Sequence, residues 1–316
     1  MKIISTIATA ILCCLIPAST SHAQGEQSQP GRRYLNDVFT QFERTGNIVY
    51  GQAVNHVSGK TEQLTLRVFE PKGDKLAKRP LFILTPGGGF VKHEDHWMDE
   101  FGEQLARAGY VVAINRYRLT DSINSAEKYV DALLMAMTDQ KTAIRFFVKD
   151  AQGKNRYRID PDNIFIGGHS AGAITSMHVA YLNEKDEVDE VFKQGIKNNG
   201  GLTGKDKVPF HIRGVINMSG LITDLNILDA GEPALMSMHG DKDQVVPIGA
   251  AATGTQGSIP IHERAQSIGL VNELHIIRGA LHNDPSDPEL CPECVPLTKR
   301  FMFETMTHDS GKVHQP

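Results

Sequence analysis

The chain has 316 residues, a formal net charge of −4 and 40% hydrophobic residues, enough for one well-cored domain. No block of lysine or arginine stands out, so the charge pattern gives no footprint for nucleic acid. Lys2, an apolar stretch over 7–16, Pro17 and a small-residue run ending Ser21-His22-Ala23 have the layout of a secretory signal peptide. The apolar stretch is well short of the ~20 residues a membrane span needs. Neither Cys13 nor Cys14 follows the small residues that lipoprotein processing uses. Cleavage is expected after Ala23, giving a secreted or periplasmic protein with no stable membrane insertion. Three segments are expected: a signal peptide 1–23, an N-terminal leader 24–46, and a single domain 47–316.

Residues 49–55 and 64–69 read as β-rich runs around the turn signal His56-Val57-Ser58-Gly59, an antiparallel opening. A fully apolar strand over 81–85 runs into Pro86-Gly87-Gly88-Gly89. The spacing of Trp97, Phe101 and Leu105 predicts a helix over 96–108, closed by Gly109. A buried strand follows at 110–115, then a long helix at 125–148 with Tyr129, Leu133, Met137, Ile144 and Phe147 near one face. Residues 163–168 form the next strand and 171–182 the next helix. Between 183 and 211 the pattern lapses into charge and Asn198-Asn199-Gly200-Gly201, which predicts a small lid-like surface excursion. Strands are expected at 212–218, 234–238 and 273–277, and helices at 260–268 and 298–307. The alternation predicts an α/β fold, a mainly parallel sheet with helices on both faces.

Gly168-His169-Ser170-Ala171-Gly172 sits where a buried strand meets a helix, the setting of an exposed serine nucleophile. A serine alcohol needs a base, a group to orient that base, and donors for the oxyanion. His282, just past the last strand, is the candidate base; His262 competes but falls inside a helical segment. Asp243, past the strand at 234–238, is the candidate orienting acid, with Asp241 and Asp224 as rivals. The backbone N–H groups of Gly88, Gly89 and Ala171 are the candidate oxyanion donors, because glycine lets a carbonyl oxygen approach closely. His93, Glu94, Asp95, His96 and Trp97 follow this loop and rim the pocket; the charged cluster reads as a solvated loop, and Trp97 as either a substrate contact or a packing residue of the core or rim. Their spacing supports no metal site.

These motifs together resemble an α/β-hydrolase-fold serine esterase of the HGGG type, as in the carboxylesterase and hormone-sensitive-lipase-like groups. The resemblance rests on Gly87-Gly88-Gly89, on Gly168 to Gly172, on His239-Gly240 with Asp243 and Val246-Pro247, and on His282. It implies an α/β-hydrolase fold and a carboxylic-ester hydrolase working through an acyl-enzyme on Ser170, without a cofactor. The order Ser, Asp, His is the order that family uses. Pro86 stands where the family carries a histidine, so the oxyanion loop must be braced in another way. Ala173, in place of a second glycine, points away from oligopeptidases of the same fold.

The expected partner is a small or polymer-linked ester. The alternatives are a depolymerase or lipase for polyester or acylated polysaccharide, and a non-catalytic binding protein that keeps the fold. Cys291 and Cys294 remain after signal removal. They read as a local disulfide, with free thiols or a redox or metal role as the other options.

Overall fold

A computed structural model describes residues 32–308, apart from 205 and 253. The expected signal peptide lies outside these residues, as does the first part of the leader. Strands β1 (Phe42–Val54) and β2 (Thr61–Pro71) form the antiparallel hairpin expected around 56–59. β1 starts five residues before the domain boundary expected at 47, and the chain is anchored earlier still. The Tyr34 N–H donates to Ala108 O at 2.8 Å, and Arg33 pairs with Asp74. Glu43, Arg44 and Thr45 show no apolar alternation; the ladder to β2 alone makes them strand.

Strands β3 (Arg79–Thr85), β4 (Val111–Asn115), β5 (Ile159–His169), β6 (Gly214–Met218), β7 (Ala234–Gly240) and β8 (Asn272–Ile277) complete an eight-stranded sheet. Its order is β1-β2-β4-β3-β5-β6-β7-β8. β2 pairs antiparallel with both β1 and β4, and every later pairing is parallel. The parallel strands need crossovers, and helices supply all but the one from β6 to β7, which carries only a 3₁₀ turn at Leu225–Ile227. Those helices are α1 (Met98–Ala108), α2 (Ala126–Gln152), α3 (Ala171–Tyr181) and α5 (Ser258–Ser267), with α6 (Cys294–His308) closing the described chain.

Alternate residues of each strand feed two cores. Leu81, Ile83, Val111, Ile166 and Val215 pack with α2, α3 and α5. Phe82, Leu84, Val112, Phe165 and Met236 pack with Phe101 and Leu105 of α1 and Phe301 of α6. Burial on both faces explains why these strands are continuously apolar.

The segment expected as a lid is instead a cladding of α2. It contains a helix the sequence pattern did not suggest, α4 (Glu190–Asn198), capped by Asp189. At Gly195 a Cβ would come within 3 Å of Val130 and Leu134 of α2. Further along, Leu202 O accepts from Lys141 Nζ and Val208 O from Arg145 Nε. Cys291 and Cys294 are joined as a disulfide at the start of α6, both buried. Among the described residues no helix is long and apolar enough to cross a membrane.

Candidate active site

The parallel strands all deliver their C-terminal ends to one edge of the sheet, where sites of open α/β sheets collect. At that edge β5 turns into α3 through Ser170, whose φ of 52° and ψ of −121° are strained for a residue with a side chain. The turn is tight because α3 begins against the end of β3. A Cβ at Gly172 would lie 2.0 Å from Thr85 O, and one at Gly168 would lie 2.2 Å from the same atom. Only glycine fits at either position.

The loops after β7 and β8 bring Asp243 and His282 to Ser170. His282 Nε2 is 2.9 Å from Ser170 Oγ, and His282 Nδ1 is 2.7 Å from Asp243 Oδ2. The Asp243 side chain is fully buried, and its Oδ1 accepts the N–H groups of Val245 and Val246 at 2.8 and 2.9 Å. Burial alone would raise its pKa. Hydrogen bonds from His239, His282 and Val246 outweigh that and hold it well below the usual carboxylate range. The rivals sit elsewhere. Asp241 accepts the Gly279 N–H in a turn, Asp224 caps a 3₁₀ turn at Leu225–Ile227, and His262 lies within α5.

The glycine loop lies beside the serine. A Cβ at Gly87 would be 3.2 Å from Ser170 Cβ and 2.7 Å from His169 Nδ1. The loop curls back on itself: Val91 and Lys92 both donate to Gly88 O, and Glu94 donates to Gly87 O. Gly88 and Gly89 take φ of 109° and 62° within it. The brace on Pro86 comes from the neighbouring strand end, where the Tyr117 hydroxyl donates to Pro86 O at 3.1 Å. Burial pushes that phenol far up, so it remains a donor. Ala171 opens α3, and the N–H of a first helical residue has no intrahelical partner.

Two further histidines belong to this cluster. His169 is buried, and burial together with the neighbouring His282 lowers its pKa to about 3, so the ring is neutral. Its Nε2–H donates to His282 O at 2.9 Å. His239 approaches Asp243 from the other side, with Nε2 3.1 Å from Oδ2. Each lies within one of the motifs, which is the one signal the sequence carries for them. Trp97 is half-buried with its ring edge-on to His169 at 6.2 Å. The rim expected to be solvated is partly structural: Asp95 is buried against Arg67 and Arg116. A cleft of about 740 Å³ opens at the opposite edge, lined by Phe210, Arg213, Glu232, Val271 and Phe301, and is no part of the site.

The comparisons with known proteins agree with the fold. The chain resembles esterase 2 of Thermogutta terrifontis phosphorylated by paraoxon at a TM-score of 0.61 and 19% identity, over 83% of this chain and 94% of that one. The butyrate-bound form of that thermophilic esterase matches at 0.59 and 18%, over 80% and 93%. Its apo form matches at 0.60 and 19%, over 82% and 93%. At such identities the likeness is one of fold. Among curated proteins no sequence match is found. The BD-FAE family model matches residues 66–232, from within β2 through the serine turn to just before β7. With more than half its length matched, and the fold of esterases around the match, the chain belongs to the BD-FAE family of α/β-hydrolase esterases.

Proposed function

We propose that the protein is a serine carboxylic-ester hydrolase whose nucleophile is Ser170. The observation that carries this reading is the unbroken series Ser170 Oγ, His282 Nε2, His282 Nδ1 and Asp243 Oδ2, with links of 2.9 and 2.7 Å across residues far apart in the chain. His282 takes the Ser170 proton as Oγ attacks the ester carbonyl carbon. The carbonyl π electrons move to oxygen, and the N–H groups of Gly88, Gly89 and Ala171 are the donors proposed to face that oxyanion. Collapse of the tetrahedral intermediate expels the alcohol, which leaves with the proton from His282. Water, deprotonated by the same base, then releases the acid and regenerates Ser170. Asp243 holds the imidazole with its proton on Nδ1 and stabilises the imidazolium. Tyr117, through Pro86 O, does for the oxyanion loop what a histidine does in HGGG esterases.

A short acyl group is the first substrate to try, since the similar Thermogutta esterase is described bound to butyrate and to propionate. A second reading, polymeric or insoluble esters, has one observation in its favour. Val91, Val245 and Leu281 are exposed on the loops that carry the site. Export is proposed as well, supported by the layout of residues 1–23 and the Cys291–Cys294 bond.

The test is hydrolysis of p-nitrophenyl acetate and butyrate together with fluorophosphonate labelling. The wild type is expected to turn over and to carry the label on Ser170 by mass spectrometry. Ser170→Ala is expected to lose at least about 10⁴-fold in kcat and all labelling. Turnover that survives the substitution overturns the assignment. A polyester film assayed beside the soluble esters separates the two substrate readings.

A further inference from the structure

Asp243 has more close donors than a triad requires, and one of them, His239 Nε2 at 3.1 Å from Oδ2, is on a buried side chain with no route to the substrate. We infer that His239 is a positioning residue for Asp243, kept in one tautomer by Ser258 and Asn217; this rests on the proposed roles of Ser170, His282 and Asp243.

The direction of each bond in this relay follows from the one before it. The Gly220 N–H donates to Asn217 Oδ1 at 2.9 Å, which fixes the way the amide faces. Asn217 Nδ2 therefore donates, to Ser237 Oγ at 3.0 Å and to Ser258 Oγ at 3.1 Å. Ser258, accepting from Asn217, has its own proton to give to His239 Nδ1 at 2.8 Å. With Nδ1 accepting, the ring proton sits on Nε2. That nitrogen faces two acceptors, Val246 O at 3.0 Å and Asp243 Oδ2 at 3.1 Å. Asn217, Ser237, His239 and Ser258 are all at most 1% exposed, so water cannot replace a missing member.

The two imidazoles thus share one carboxylate oxygen, while the backbone holds the other. Without the donor from His239, more of the carboxylate charge falls on His282 and its imidazolium is held more firmly. The base then becomes available only at higher pH, and the carboxylate loses one of its fixed points. Substrate binding is untouched, because His239 lies behind Asp243.

The experiment measures pH profiles of p-nitrophenyl acetate hydrolysis for the wild type, His239→Leu, His239→Gln and Ser258→Ala, each with a thermal melt. His239→Leu is expected to lower kcat by about 10- to 100-fold, the cost of a hydrogen bond to a charged group, with KM changed less than about twofold. The acid limb of its kcat/KM profile moves to higher pH. His239→Gln, which can place an amide N–H near the position of Nε2, restores most of kcat and returns the limb toward wild type. Ser258→Ala shifts the limb in the same direction, and adding it to His239→Leu changes nothing further. An unmoved limb in either folded variant overturns the inference, as does a glutamine variant as slow as the leucine one. Where His239→Leu does not fold, Ser258→Ala decides alone. A wild type that fails to turn over, or that takes the fluorophosphonate label away from Ser170, defeats the proposed function first and this inference with it.

Discussion

Asp243 and Asp241 lie two residues apart on one loop, yet their surroundings give them different work. Asp243 faces inward to four donors, whereas Asp241 is exposed and closes a turn through the Gly279 N–H at 2.7 Å. Asp243→Asn keeps the shape but exchanges one acceptor for an amide, which favours the wrong tautomer of His282. A loss of about 10³- to 10⁴-fold in kcat is expected. Asp241→Asn should stay within about threefold, since a surface turn contributes little beyond local stability. Steady-state kinetics on both variants check this, and the reverse ranking would exchange the two roles. From the sequence, Asp241 could be set aside only as a candidate turn residue, and Asp243 was favoured by its place between His239-Gly240 and Val246-Pro247. What separates them physically is which way each side chain points, and that depends on His239, His282 and the Val246 N–H.

At the scale of elements, the site depends on how closely α3 approaches β3. Gly172→Ala would drive a Cβ to 2.0 Å from Thr85 O and 2.7 Å from Pro86 O, so the helix must retreat from the strand that feeds the glycine loop. A loss of about 3 kcal/mol or more is expected, together with loss of turnover. Gly249→Ala, where a Cβ meets nothing within 4 Å, is the control and should change stability by less than about 0.5 kcal/mol. Chemical denaturation of the two variants measures the difference. Elements that bury an apolar face were readable in advance: β3 to β8 and, apart from α4, the helices between them fall within a few residues of expectation, with the start of β5, the end of α2 and both ends of α6 running longer. Elements held by a partner rather than by their own pattern were not. The start of β1 exposes Glu43, Arg44 and Thr45 and carries no period. The short α4 was missed for another reason: Val191, Phe192 and Ile196 do share one face, but charged residues surround them. The serine turn and the loops carrying Asp243 and His282 were legible because strand ends and glycines leave local marks. The tautomer of His239 and the contact of Tyr117 with Pro86 leave none.

For the molecule as a whole, buried histidines tie stability to pH. Burial lowers His178 to about 4 and, with the charge of His282, His169 to about 3, while in the unfolded chain each titrates near 6.5. As pH falls below that value the unfolded state gains protons that the folded state refuses. Each of these histidines then lowers stability by about 1.4 kcal/mol per pH unit until its folded value is reached. Glu232 works in the opposite sense. Burial and the nearby Asp229 and Asp186 raise it to about 7, so the folded state takes up its proton first and gains stability as pH falls. Urea denaturation between pH 7 and pH 4.5 should therefore show a shallower decline for His178→Gln than for the wild type, and a steeper one for Glu232→Gln. Parallel slopes in all three would refute the linkage. The bond from His169 to the carbonyl of His282 carries a different consequence, one of timing. β5 lies inside the sheet and β8 at its edge, with β6 and β7 between them. In the proposed cycle the acylated Ser170 oxygen has no proton to share, and the hydrogen bond joining serine to base is gone for that interval. The His169 bond is made from the residue next to the serine to the backbone of the base, and no proposed step uses either of its atoms. In that cycle the base keeps this tie during the interval when water must arrive.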